Sequence, residues 1–325
     1  MRRNRYPELF TPLRIGGIEL RNRIVAPPML QVRPITSPEG RAWYRRLASG
    51  GPGLVMVEVT SILRFGGELT VKSLHPLAKL IHEEGAAAGI QLFPVKFREA
   101  VDPNSLSREQ IEQIIAGYGQ AAVICREAGF DIVEPHGAHG YLLNQFFMPG
   151  RNHRGDDFGS TLEGRCRLAV RIVQRLRESV GPGGLVFYRH TPVGQDYGVE
   201  ESLVLAERLV KAGVDALDIS PARRDVPGDL AAPFKARFKV PVIAVSGMDV
   251  PAAAAEALRE GRCDLVAIGR GLIADAQWPK KLREGREKEI IHCRRCETGC
   301  FGRLRRNEPV ACVLWKHDEV AFHMR

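Results

Sequence analysis

The stretch Gly129-Phe130-Asp131-Ile132-Val133-Glu134-Pro135-His136-Gly137-Ala138-His139-Gly140-Tyr141 holds one complete unit of the plan on which the chain is built. Gly129 closes the helical segment before it, because glycine accepts the left-handed conformation that ends a helix. Residues 131–135 then make a short apolar run, the signature of a strand buried on both faces. Two imidazoles and a phenol follow, separated by small residues, so several polar tips can enter one cavity where the strand runs out.

The same unit recurs along the chain. Candidate strands cover residues 23–26, 54–58, 89–93, 131–135, 185–189, 216–220, 241–245 and 265–269. Helical segments are expected around 40–48, 74–88, 108–128, 162–180, 201–212, 251–260 and 278–283, with Gly213 and Gly261 ending helices as Gly129 does. Eight strands joined by helical crossovers predict a parallel sheet, and eight is the number that closes a TIM barrel. Residues 13–22, with Gly16-Gly17 between apolar pairs, read as a hairpin capping the barrel bottom. A doubly wound sheet is the alternative, disfavoured because no Gly-x-Gly-x-x-Gly follows the first strand. No longer repeat, low-complexity tract or interdomain linker interrupts the pattern. The expected organisation is a barrel over residues 1–288 with a cysteine-rich tail over 289–325 packed on it.

Bulk properties narrow the class. The chain has 325 residues and is 44% hydrophobic, enough for a large single core. It contains no apolar run long enough to span a membrane, and its basic start leads into no signal-peptide core. A cytoplasmic protein without membrane association is the expectation. The net charge of +9 is spread along the chain with no nucleic-acid-binding fingerprint, so a solvated basic surface is the reading. Arg294, Arg295, Arg303, Arg305 and Arg306 are the exception: they bracket the cysteines and suit an anionic cluster or an acidic electron carrier.

In a barrel the active site lies at the C-terminal ends of the strands. That rule selects His136, His139 and Tyr141 after the fourth strand. The histidines lack a convincing third partner for zinc. They suit donation to a carbonyl oxygen that gains negative charge, and Tyr141 suits proton delivery. Satisfied strand-end histidines are the plain alternative. Ser246-Gly247 and Gly269-Arg270 follow the last two strands, where TIM barrels often bind phosphate; glycine lets backbone N–H groups approach an anion and arginine adds a forked donor. Arg189 ends the fifth strand, as a cofactor-facing cation or as half of a salt bridge in the barrel mouth.

Of the seven cysteines, Cys125, Cys166 and Cys263 lie scattered and read as small core or surface residues. Cys293-x-x-Cys296-x-x-x-Cys300, followed after a gap by Cys312, is a different matter. Four thiolates at this spacing suit tetrahedral zinc or an iron–sulfur cluster, and the uneven three-plus-one arrangement favours a [4Fe–4S] cluster over paired zinc knuckles.

The chain resembles the FMN domain of the Old Yellow Enzyme family, in particular its 2,4-dienoyl-CoA reductase and trimethylamine dehydrogenase branch. The likeness runs from Leu9 to about Cys312. It rests on Leu9-Phe10-Thr11-Pro12-Leu13, Asn22-Arg23-Ile24-Val25, His136 through Phe146, Asn152-x-Arg154 with Gly159-Ser160-Thr161-Leu162-Glu163, Pro241 through Val245, Gly269 through Asp275, and the cysteine spacing. By that resemblance Pro28, Met29, Val59 and Gln91 match flavin-ring contacts and Arg189 the cationic flavin partner. Ser246, Gly247, Gly269 and Arg270 match the phosphate cradle, and Cys293, Cys296, Cys300 and Cys312 the [4Fe–4S] ligands. His136 and His139 match the pair that holds a substrate carbonyl oxygen, and Tyr141 a proton donor. The resemblance implies an FMN-dependent ene-reductase that passes hydride to the β-carbon of a small-molecule activated alkene, with NAD(P)H as reductant.

Three departures qualify it. Where the family usually reads Leu-x-His-x-Gly-Arg, this chain has Leu92-Phe93-Pro94-Val95-Lys96-Phe97, so the loop is remodelled and substrate preference does not carry over. Leu30 replaces a Cys or Thr beside the flavin. Dienoyl-CoA reductases continue into FAD- and NAD(P)H-binding domains, whereas this chain stops thirteen residues after Cys312. Either NAD(P)H reduces FMN directly and the cluster is structural, or a separate electron-donor protein feeds electrons through it. A homo-oligomer is compatible with the sequence. Two rivals stand beside this reading: an amine or ether dehydrogenase of the trimethylamine type, and a non-catalytic barrel stapled by zinc.

Overall fold

A computed structural model describes residues 5–222 and 228–316. Residues 1–4 of the basic start and 317–325 of the tail lie outside the described residues. Strands β1 (Leu13–Ile15) and β2 (Ile18–Leu20) form an antiparallel hairpin. The next strands are β3 (Ile24–Ala26), β4 (Leu54–Ser61), β5 (Ala87–Phe93), β6 (Ile132–Gly137), β7 (Leu185–His190), β8 (Ala216–Ile219), β9 (Val242–Val245) and β10 (Leu265–Ala267). They close a parallel barrel in the order β10-β3-β4-β5-β6-β7-β8-β9. This is the TIM barrel that the alternation predicts, with the hairpin where it was expected.

The crossovers are α1 (Pro38–Ser49), α2 (Val71–Glu83), α3 (Arg108–Glu127), α4 (Leu142–Phe147), α5 (Leu162–Val180), α6 (Val199–Lys211), α7 (Ala232–Arg237), α8 (Pro251–Arg259), α9 (Arg270–Ala274) and α10 (Trp278–Arg283). A last helix, α11 (Cys300–Arg305), lies in the tail. The long helices start on side-chain caps: Ser37 accepts from the Gly40 N–H, and Thr70/Ser73 and Ser107/Gln110 form reciprocal capping boxes. Sequence periodicity carries α2 through residue 88, but the helix stops at Glu83. Gly85, at φ +76°, turns the chain so that residues 87–88 can begin β5. The short helices α4, α7, α9 and α11 have too few turns to leave a periodic signal and were not expected.

Strand alternation sets the depth profile of the barrel. Inward positions at its lower end are apolar: Val25, Leu54, Met56, Ile132, Leu185, Phe187, Ala216, Ile243 and Leu265 pack into one cluster with Ile15 and Leu20 of the hairpin. The hairpin turn presses on this cluster so closely that a Cβ on Gly16 would stand 2.9 Å from Leu185. Two residues further along the same strands, the inward positions become polar: Gln91, Glu134, Arg189 and Asp218 are all buried. A second, larger core lies between the strands and the surrounding helices and includes Cys125, Cys166 and Cys263, which are buried free thiols.

Phe187 is fully buried at the centre of the barrel floor. Phe187→Ala is expected to destabilise the fold by about 3–5 kcal/mol through lost burial and a residual cavity. Guanidinium unfolding followed by circular dichroism checks this; a loss below roughly 1 kcal/mol would mean that the floor collapses to fill the gap.

Candidate active site

One cavity of about 360 Å³ opens at the C-terminal ends of the strands, within the size range of roughly 300–1,000 Å³ usual for small-ligand sites. Pro28 and Met29 reach it from beyond β3, Val59 from β4, Gln91 from β5, His136 from β6 and Arg189 from β7. His139 and Tyr141 enter from the turn before α4. Ser246-Gly247 come from beyond β9, and Gly269-Arg270 from the junction of β10 with α9. The structure therefore brings to one cavity every residue that the sequence assigned to flavin or substrate.

Beneath this cavity lies a hydrogen-bonded polar layer. Gln91 donates to Glu134 at 2.8 Å, and Arg189 stands 3.4 Å from Asp218 while donating to the Ser220 hydroxyl at 2.9 Å. Burial raises both carboxyls, Glu134 to about 8. Asp218 adds to the rise of Glu134, while Arg189 pulls both back. Arg189 thus pairs with Asp218, while burial favours the protonated form of Glu134 beside them. The salt bridge foreseen as the alternative for Arg189 is present, and Arg189 also lines the cavity.

The two histidines meet with ring centroids 5.1 Å apart. His139 is held by its backbone N–H, which donates to the Thr191 hydroxyl, and by its Nε2, 2.9 Å from the Ser220 hydroxyl. Because Arg189 already donates to Ser220, the Ser220 proton can go to Nε2, which leaves Nδ1 as the N–H of His139. Burial is the main cause that depresses both imidazoles; the neighbouring His139 and Arg189 push His136 further down, and Arg189 takes His139 to about 3. Both are thus neutral N–H donors. Burial also raises the Tyr141 phenol, which stays protonated.

Backbone strain marks the same site. His139 at φ +60° and Ser246 at φ +86° occupy the left-handed region without being glycine. Gly247 continues that turn at φ +74°, with open space where a Cβ would be, so its backbone can approach an anion. Arg270 beside it pairs with Glu297 at 3.5 Å and lies over the Phe301 ring. The groups present fit FMN: a cavity of suitable size, a turn open to a phosphate, a cation at each end, and His136 Nδ1 buried without a hydrogen-bond partner among the described residues.

The tail packs against the barrel mouth. Cys300, Phe301 and Leu304 line the cavity, Arg98 donates to the Leu304 carbonyl, and Trp315 donates to the Ile273 carbonyl at 2.7 Å. Cys293, Cys296, Cys300 and Cys312 line one adjoining small pocket of about 20 Å³. Among the described residues no group of three His, Cys, Asp or Glu stands close enough to hold a single metal ion. The surrounding arginines are less bare than their sequence suggests: Arg295 pairs with Asp249, Arg305 with Glu297, and Arg303 and Arg306 with Glu308.

Sequence reading missed Glu134, Asp218, Ser220 and the ring of Phe97 as parts of this site. An acid inside an apolar strand, as at Glu134 and Asp218, is a usable signal, because burying it demands a partner. Ser220 leaves no such signal.

The sequence profile of the NADH:flavin oxidoreductase / NADH oxidase family matches residues 95–289. A protein of Thermoanaerobacter brockii named NADH oxidase is 32% identical over 95% of this chain and 56% of its own length. A cinnamate reductase of Clostridium sporogenes is 28% identical over 96% of this chain and 58% of its own. The chain thus spans just over half the length of these relatives. Among solved structures, a 2-naphthoyl-CoA reductase complex superposes with a TM-score of 0.88 at 24% identity, over 98% of this chain and 58% of the other, which supports the fold. Among the described residues no helix is long and apolar enough to cross a membrane.

The depressed His139 gives a pH prediction of definite sign. The folded ring takes its proton only near pH 3, the unfolded ring near 6.5. Between these values the unfolded state binds more protons, so this contribution to stability is full above about pH 6.5 and is lost as the pH falls toward 3. Imidazole nitrogen shifts should show His139 neutral from pH 8 to 5; a titration midpoint near 6 would contradict the desolvated site.

Proposed function

The chain belongs to the NADH:flavin oxidoreductase / NADH oxidase family, and from that premise we propose that it is an FMN-dependent oxidoreductase that reduces the C=C bond of α,β-unsaturated carbonyl compounds or enoyl thioesters. The observation that carries this reading is the convergence of neutral His136 and His139, protonated Tyr141 and buried Arg189 on the cavity that suits the flavin. FMN, when bound, supplies the hydride chemistry, with NAD(P)H as the reductant. Gln91 and Arg189 would hold its ring edge, Pro28, Met29 and Val59 would pack on the ring, and Ser246, Gly247, Gly269 and Arg270 would hold its phosphate.

The residues of the chain divide the remaining work. His136 and His139 donate hydrogen bonds to the substrate carbonyl oxygen and stabilise the negative charge that gathers there as the β-carbon is reduced. As neutral donors they hold that charge without surrendering a proton to the oxygen. Tyr141 delivers its phenolic proton to the α-carbon, completing the addition. Neutral N–H donors beside a buried guanidinium disfavour a cationic amine, which argues against the amine-dehydrogenase alternative.

Cys293, Cys296, Cys300 and Cys312 would hold a [4Fe–4S] cluster. Their convergence on one pocket supports this, and so does the three-plus-one spacing. Residues 289–325 would then form the cluster-binding tail of a barrel spanning 1–288, with electrons from NAD(P)H or from a partner protein.

Protein purified without oxygen is expected to carry FMN, with about four irons and four acid-labile sulfides per chain. Chemically reduced protein should be reoxidised by cyclohexenone, and Tyr141→Phe should slow that step by roughly 10²–10⁴-fold. Rapid mixing that follows the flavin absorbance measures this. Colourless protein after supply of FMN and iron would sink the cofactor assignments, and wild-type indifference to every enone would sink the reaction.

A further inference from the structure

The loop after β5 departs from the family pattern, and its structure gives that departure a use. Phe97 lines the active cavity beside Tyr141 and His136. Its ring lies 5.8 Å from Tyr141 and 6.1 Å from Phe93, and Phe93 meets Tyr141 edge-on at 5.3 Å. Tyr141 in turn stands 5.3 Å from His136. An unbroken aromatic wall therefore runs from the carbonyl-binding histidines to the cavity rim. Phe97 and Tyr141 form its inner face, and Phe93, only 2% exposed, backs it. Arg98 lies over Phe97 at 5.8 Å and is tied to the Leu304 carbonyl of the tail, so the wall is braced from outside as well.

We propose that Phe97 and Tyr141, buttressed by Phe93, form an aryl subsite, so that the preferred substrate is an alkene conjugated to an aromatic ring as well as to a carbonyl group. This rests on the ene-reductase reading and narrows its substrate class. A ring set edge-on or offset against such a wall gains the quadrupolar attraction of aromatic pairs in addition to burial. An extended alkyl chain gains less. The cavity behind Phe93 and Tyr141 mixes Val95, Val101 and Leu142 with Glu99, Asp102 and His153, and Tyr141 stands between it and the active cavity, lining both. The wall thus matches a flat ring, while a chain laid along it forgoes the aromatic pairing.

The test separates binding from turnover. FMN-loaded oxidised protein is titrated with 4-phenylbutan-2-one and with 2-octanone, unreactive saturated ketones, and Kd is read from the flavin absorbance. The reduced protein is then reoxidised with the corresponding enones, 4-phenylbut-3-en-2-one and 3-octen-2-one. The expected result is an aryl preference of about tenfold in Kd. Phe97→Ala should abolish most of it, Phe97→Leu should lower it partly, and Phe97→Tyr should keep it. An equal affinity for both ketones in the wild type, or an aryl preference unmoved by Phe97→Ala and Phe97→Leu, overturns the subsite. If the aryl ketone binds in preference but neither enone reoxidises the flavin, the reaction assignment fails and the subsite stands.

Discussion

The contact between Arg189 and Asp218, 3.4 Å apart inside a closed barrel, fixes the level at which the interior changes from hydrocarbon to polar. A guanidinium cannot be buried there alone, since removing a charge from water costs several kcal/mol unless it is paired. Asp218 supplies the opposite charge, and Ser220 takes a hydrogen bond from the same guanidinium. Ser220 then reaches His139, so the ion pair extends by two hydrogen bonds to the residue that would hold the substrate. Below this level Phe187, Ile132 and their neighbours fill the barrel, and the hairpin seals it. Above it the cavity begins.

That arrangement explains why the two imidazoles are neutral. Burial and the fixed charge of Arg189 both oppose a second cation, so His136 and His139 keep only the protons they can donate as hydrogen bonds. The cation thus has two effects, one on whatever anionic edge a bound cofactor presents and one on the protonation of its neighbours. The site also carries backbone strain at His139 and Ser246, which the rigid strand ends around them maintain. Stability given up at such positions is consistent with pre-organisation for ligands at the histidine pair and at the phosphate turn.

The tail is part of the cavity and not an appendage to it. Arg270, at the start of α9, pairs with Glu297 between Cys296 and Cys300, while Leu304 anchors Arg98. Trp315 packs 6.1 Å from Trp43 on α1, beneath the Arg46 guanidinium. The tail therefore touches both Arg270 and the remodelled loop after β5, and any disturbance of the cysteines reaches two walls of the site.

Much of this was legible in the sequence. The eight apolar runs divided by helical segments determined a parallel sheet, and their number together with the missing dinucleotide turn pointed to the barrel. The rule that chemistry sits at the C-terminal strand ends selected His136, His139, Tyr141, Arg189, Ser246-Gly247 and Gly269-Arg270, which do share one cavity. Tertiary structure alone decided the rest. Glu134 and Asp218 stand out as acids in apolar strands, but only barrel closure turns them inward and supplies Arg189 and Gln91 as their partners. The wall of Phe93, Phe97 and Tyr141 joins two segments distant in the chain, and the protonation of the histidines depends on how much water that enclosure removes. Periodicity is a local property that a sequence records directly, whereas desolvation and charge pairing exist only once distant strands have met.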